Sequence, residues 1–120
     1  LMTEDQVREI VEVLNPDVAS CVSVFAGRIA DTGRDPIPTM KNCVEELSQN
    51  SKAELIWASP RELLNVFQAD SIGCHIITAT NEILKKLDLV KFGILLKEKT
   101  SFILHVMILD CLFSISTAVN

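Results

Sequence analysis

A chain of 120 residues with 48% apolar side chains has room for one small domain with a buried core. Its formal net charge of −5 and pI near 4.9 exclude a broadly basic surface, and with it general binding to nucleic acid or anionic membranes. Cys21, Cys43, Cys74 and Cys111 are widely spaced, form no CxxC pair and sit in apolar or helical patterns. With only two histidines in the chain, they read as buried, reduced thiols of a cytoplasmic protein rather than as a disulfide framework or a zinc site.

The chain opens at Leu1-Met2 with no charged leader and runs straight into a helix signal, as a sequence entering in mid-domain does. Thr3 and Gln6 form a capping-box pattern, and Val7, Ile10, Val11 and Leu14 recur at helical spacing, so residues 4–14 are predicted as an amphipathic helix. Asn15-Pro16-Asp17 ends it. Ala19 to Phe25 is β-prone and nearly all apolar, which predicts a strand covered on both faces, as parallel strands are. Gly27 to Pro38, rich in Gly, Pro, Asp and Arg, predicts a long loop of the kind that carries function on a rigid scaffold.

A helix is expected from about Pro38, with Met40, Val44 and Leu47 on one face, closed by Gln49-Asn50-Ser51. Glu54 to Ala58 reads as the second strand. Ser59-Pro60-Arg61-Glu62 reads as a helix start, with Ser59 as N-cap and Pro60 at the first helical position, and Leu63, Leu64 and Phe67 supply its buried stripe. Gly73 precedes a third strand, Cys74 to Thr78. The helix after it holds Ile83, Leu84 and Leu87, with Lys85 and Lys86 near its end. This alternation predicts an α/β fold with parallel strands and right-handed crossovers; an open doubly wound sheet and part of a barrel both fit it. The last residues break the pattern. Lysines mix with apolar residues from Val90 to Thr100, and Ser101 to Val119 is densely apolar without clear amphipathicity. His105 and Asp110 interrupt that run, which is too short for a spanning helix, so a membrane segment is disfavoured.

Two segments carry candidate chemistry: Ser23-Val24-Phe25-Ala26-Gly27-Arg28 and Ala58-Ser59-Pro60-Arg61. Each sets a hydroxyl and a guanidinium a few residues apart where a strand gives way to a loop or helix, an arrangement suited to a phosphorylated ligand. Each residue also has a purely structural reading. Ser59 serves as a helix cap in any protein, but Arg61 in a first helical turn opposes the helix dipole unless an anion lies between. Arg28 reads equally as a surface charge, the Ser23 hydroxyl as a donor to backbone, and Phe25 as core or as the wall of a pocket. Asp31, Arg34 and Asp35 suggest a solvated turn with local ion pairs, His75 a satisfied structural histidine, and Trp57 packing. The chain holds no convincing Ser-His-Asp constellation, paired-carboxylate motif or glycine-rich phosphate loop.

Val22-Ser23-Val24-Phe25-Ala26-Gly27-Arg28-Ile29 resembles the sixth-strand motif of the transaldolase family. Trp57-Ala58-Ser59-Pro60-Arg61 resembles its seventh-strand motif, usually Ala-Ser followed by an aromatic and a basic residue. Gly73-Cys74-His75-Ile76-Ile77-Thr78 resembles its eighth strand. The likeness covers residues 1–90 and is strongest to the short bacterial transaldolase-like branch, which includes fructose-6-phosphate aldolase-like proteins. It implies the C-terminal portion of a (β/α)₈ TIM barrel, about three βα units, with the site at the C-terminal ends of the strands. Residues 91–120 then form an atypical apolar tail that departs from the family, as a change of reading frame or a misplaced gene end near Val90 would produce.

Such enzymes hold a substrate ketone as a Schiff base on a lysine and pass a dihydroxyacetone unit from a ketose phosphate to an aldose phosphate, with no metal or organic cofactor. Carried over by position, the resemblance implies that Arg28, Ser59 and Arg61 hold the sugar phosphate. It implies that Ser23 contacts the dihydroxyacetone unit and that Phe25 lines the site. Related aldolases carry Tyr at the Phe25 position, so Phe favours group transfer over simple aldol cleavage. Pro60 replaces the usual aromatic. The family's Schiff-base lysine lies on the fourth strand and its acid–base carboxylates on the first and third, all before Leu1, and no lysine here matches the role. This chain alone is therefore expected to be catalytically inactive, with an oligomeric parent left open. The alternatives are a non-catalytic sugar-phosphate-binding remnant, and an interaction or membrane-associated protein that uses the apolar tail.

Overall fold

A computed structural model of the chain describes residues 1–50, 52–94 and 105–108. Along them run α1 (Glu4–Val13), β1 (Ser20–Val24), α2 (Ala26–Asp31), α3 (Pro36–Leu47), β2 (Ala53–Trp57), α4 (Leu64–Ser71), β3 (Ile76–Ala79), α5 (Asn81–Ile94) and β4 (His105–Ile108). The predicted α/β alternation holds. The described strands form one parallel sheet in the order β1-β2-β3-β4. That order steps in one direction, without the reversal that defines a doubly wound sheet.

α1 starts where the capping box places it: the Gln6 N–H donates to Thr3 Oγ1 at 3.3 Å, and Gln6 Oε1 accepts from the Thr3 N–H at 3.2 Å. Val7 is fully buried, and α1 lies along α3, pinned at its rim by Arg8–Glu46 at 3.1 Å and Asn42–Glu4 at 3.1 Å. The core is one cluster. It joins Val22 and Val24 of β1, Met40, Cys43 and Leu47 of α3, Leu55 and Trp57 of β2, Val66 and Ala69 of α4, Ile77 of β3, and Ile83 and Leu87 of α5.

Alternation along the strands sends Val22, Val24, Leu55 and Trp57 into that core. On the other face Cys21 and Glu54 are exposed, and Ser23, Ile56 and Thr78 are half-buried. β1 is therefore covered on one face rather than on both. Right-handed crossovers between strands ordered in one direction put every connecting helix on the same side.

Several boundaries differ from expectation. The segment from Gly27 to Pro38 is not a long loop: α2 occupies its start and α3 already begins at Pro36, where Asp35 Oδ1 accepts the Ile37 N–H at 2.9 Å. Gly33, at φ +80°, makes the turn between them. α4 starts at Leu64, not at Pro60, and buries Asn65, Val66 and Ala69, while Leu64 is exposed. α5 runs on to Ile94, so Lys85 and Lys86 sit in its middle. β4 is a fourth strand inside the apolar tail, paired with β3 from Ile76↔His105 to Ala79↔Ile108; the rest of the tail beyond Ile94 lies outside the described residues. No described helix is long and apolar enough to cross a membrane.

Candidate functional site

β1 and β2 pair in register, Val24 opposite Trp57, so the chain leaves the sheet at two adjacent points. The ladder continues past both tips: the Ala58 N–H donates to Val24 O at 2.8 Å, and the Gly27 N–H to Ala58 O at 3.2 Å. The approach is so close that a Cβ on Gly27 would stand 1.5 Å from the Ser59 carbonyl oxygen. Ser59 itself turns through the left-handed region, with φ +57°.

That backbone explains why Ser59 does not cap a helix. An N-cap residue has β-region dihedrals and points its side chain at the N–H groups of the first helical turn. Here the service comes from the other direction. Asn65, 7% exposed in α4, accepts the N–H of Arg61 at 2.7 Å and of Glu62 at 3.1 Å through Oδ1, and its Nδ2 donates to Gln68 Oε1 at 2.9 Å. Asn65 is a positioning residue that sequence reasoning missed. A lone amide inside Leu63-Leu64-Asn65-Val66-Phe67 was its only signal.

The side chains at the tips are organised by α2. The Arg28 guanidinium lies 4.3 Å from the centroid of the Phe25 ring, within cation–π range. Asp31, three residues after Arg28, holds Arg61 with both carboxylate oxygens: Oδ1 accepts from Nε at 3.2 Å and Oδ2 from Nη2. Residues three apart are neighbours on a helix surface, with about 5–6 Å between Cβ atoms. The Arg61 guanidinium is thus tied to α2, at the residue one turn after Arg28. The Asp31 ion pair spans 30 residues and is not the local turn contact expected; Asp35 caps α3 instead.

Of the residues singled out, Phe25 and Arg28 follow the tip of β1, with Arg28 over the Phe25 ring, and Ser59 and Arg61 follow the tip of β2. Ser23 sits below them on the helix-free face of β1, half-buried, and its carbonyl accepts from the Leu1 amino group at 3.0 Å. A cavity of about 610 Å³ lies elsewhere, lined by Met2, Thr3, Ile29, Thr32, Arg34 and Thr39 among others, and none of these five candidates borders it.

His75 is satisfied, as a structural histidine should be: Nδ1 accepts the Leu55 N–H at 3.0 Å. The Cys74 thiol donates to Leu55 O at 3.4 Å, so two consecutive side chains serve both polar groups of one buried strand residue. Burial pushes the Cys74 and Cys43 thiols from 9.0 up to about 11. Cys21, expected to be buried, is exposed. Among the described residues no cluster of His, Cys, Asp and Glu could hold a metal ion.

The family model described as Transaldolase/Fructose-6-phosphate aldolase matches residues 1–98. The chain belongs to the transaldolase/fructose-6-phosphate aldolase family. The matched stretch of this transaldolase-family chain takes in α1 through α5, and so both strand tips with Arg28, Ser59 and Arg61. No curated protein and no solved structure matches it.

Proposed function

We propose that this chain is the C-terminal part of a transaldolase-type (β/α)₈ enzyme and supplies its sugar-phosphate-binding wall. One observation carries the reading: Asp31, three residues after Arg28 on α2, pairs with Arg61 across the tips of the adjacent parallel strands β1 and β2. Guanidinium groups bind phosphate oxygens in charge-assisted, geometrically selective pairs. The C-terminal ends of parallel strands are where α/β folds bind ligands. Arg28 and Arg61 grip the phosphate, the Ser59 hydroxyl adds a hydrogen bond, Phe25 lines the adjoining wall, and Ser23 reaches the dihydroxyacetone unit from the helix-free face of β1. In the complete enzyme that unit is carried as a Schiff base on a lysine and passed to an aldose phosphate. No lysine of this chain takes that role, so the 120-residue chain binds but does not turn over.

Two measurements test this. Sugar phosphate or inorganic phosphate titrated into the chain should shift NMR signals of Phe25 to Arg28 and of Ala58 to Glu62. Arg28→Ala or Arg61→Ala should each weaken binding about tenfold or more, the loss of one charge-assisted contact. A coupled transaldolase assay on the same sample should stay at background. Turnover would refute the inactive-chain reading, and an unchanged affinity in both Ala variants would refute the phosphate site.

A further inference from the structure

An arginine fork has two edges that can hold an oxyanion pair: the side edge, Nε with Nη2, and the end edge, Nη1 with Nη2. Asp31 takes the side edge of Arg61 with both oxygens. No described residue takes Nη1. We infer that Asp31 is a positioning residue of the phosphate site, holding Arg61 by its side edge so that its end edge meets the anion gripped by Arg28. The inference rests on the phosphate-site reading above.

Both entropy and geometry favour this role. Arg61 is half-exposed, at 51% of its side chain, so an untethered guanidinium would sample many rotamers and lose that freedom on binding. Its backbone is already fixed by Asn65, through the N–H groups of Arg61 and Glu62. Asp31 fixes the other end. Because Asp31 follows Arg28 by one helical turn, a single short helix sets the spacing of both cations. The carboxylate also repels a bound dianion, but at 52% exposure that repulsion is weakened by water and salt. The two hydrogen bonds from Nε and Nη2 add a geometric constraint on Arg61 to the screened attraction of the ion pair.

The test is a double-mutant cycle on the full chain, read by phosphate titration with NMR detection of the arginine Nε–H signals. Asp31→Asn should weaken phosphate binding about two- to fivefold, the scale of a half-exposed ion pair. The same substitution should move the Arg61 Nε–H signal toward that of a solvated arginine, which a loss of general stability would not do. In an Arg61→Ala background Asp31→Asn should have no further effect. Unchanged or tighter binding in Asp31→Asn, with Arg61→Ala still weakened, overturns the positioning role and leaves the phosphate site standing. An undiminished effect of Asp31→Asn without Arg61 overturns it as well. A parent chain that gives no phosphate response overturns both.

Discussion

Gly27 and Ser59 make opposite demands on one contact. Gly27 lies so near the Ser59 carbonyl that a Cβ would be 1.5 Å away, with backbone in its path, so Gly27→Ala forces the two tips apart. Overpacking of this kind costs about 1–3 kcal/mol or more. Ser59 holds φ +57°, a conformation costing an ordinary residue roughly 1–2 kcal/mol, whereas glycine adopts it freely and loses only about 0.5–1 kcal/mol of chain entropy. Ser59→Gly should therefore leave the urea midpoint unchanged or slightly raised while phosphate affinity falls with the lost hydroxyl; a clear drop in the midpoint would refute the strain. Arg28, Ser59 and Arg61 stand out as candidates in the sequence because hydroxyl and guanidinium recur at two strand ends. The Asp31–Arg61 pair does not: its members lie 30 residues apart, and only the side-by-side placement of β1 and β2 brings them together.

At the scale of elements, the helix that begins after β2 depends on Asn65 more than on any cap in front of it. Asn65→Ala removes the acceptor for the Arg61 and Glu62 N–H groups at a position 7% exposed. Part-buried donors left without their acceptor cost up to about 1–3 kcal/mol. Asp35→Ala removes the N-cap of α3 at an exposed turn, where water replaces it, and should cost only about 1 kcal/mol. The order of the two urea midpoints checks this; a smaller loss for Asn65→Ala would reject Asn65 as the organiser of that segment. α1 was readable to within a residue because its capping box is local chemistry. α4 was misread because Ser59-Pro60-Arg61-Glu62 has the composition of a helix start, while the left-handed turn at Ser59 commits those residues to leaving the strand. α2 hid in a segment rich in Gly, Pro and Asp since six residues are under two turns and leave no periodicity to detect.

For the whole molecule, parallel alternation was legible and the sheet's openness was not. Strands dense in Val and Ile suggest burial on both faces, yet Cys21 and Glu54 stand exposed on the side away from the helices. β4 escaped notice because its apolar surroundings carry neither the period of a strand nor that of a helix. What unifies the fold is one core, and two of its members make a pH test of it. Cys43 on α3 and Cys74 ahead of β3 are buried, and burial lifts both thiols from 9.0 to about 11. The unfolded chain ionises its thiols first, so above pH 9 ionisation lowers the free energy of the unfolded state relative to the folded one. The contribution of these two groups is complete below about pH 9 and fades as pH climbs through about 11. Trp57, the one tryptophan and fully buried, reports unfolding, and with no tyrosine in the chain no tyrosinate forms to quench it. Urea midpoints read from Trp57 emission should hold from about pH 7 to 8.5 and fall steadily from about pH 9 to 10.5. A Cys43→Ala, Cys74→Ala double variant should start lower, from two small cavities, but lose distinctly less over the alkaline range. Parallel declines in the two proteins would show that the alkaline loss arises elsewhere than in these thiols.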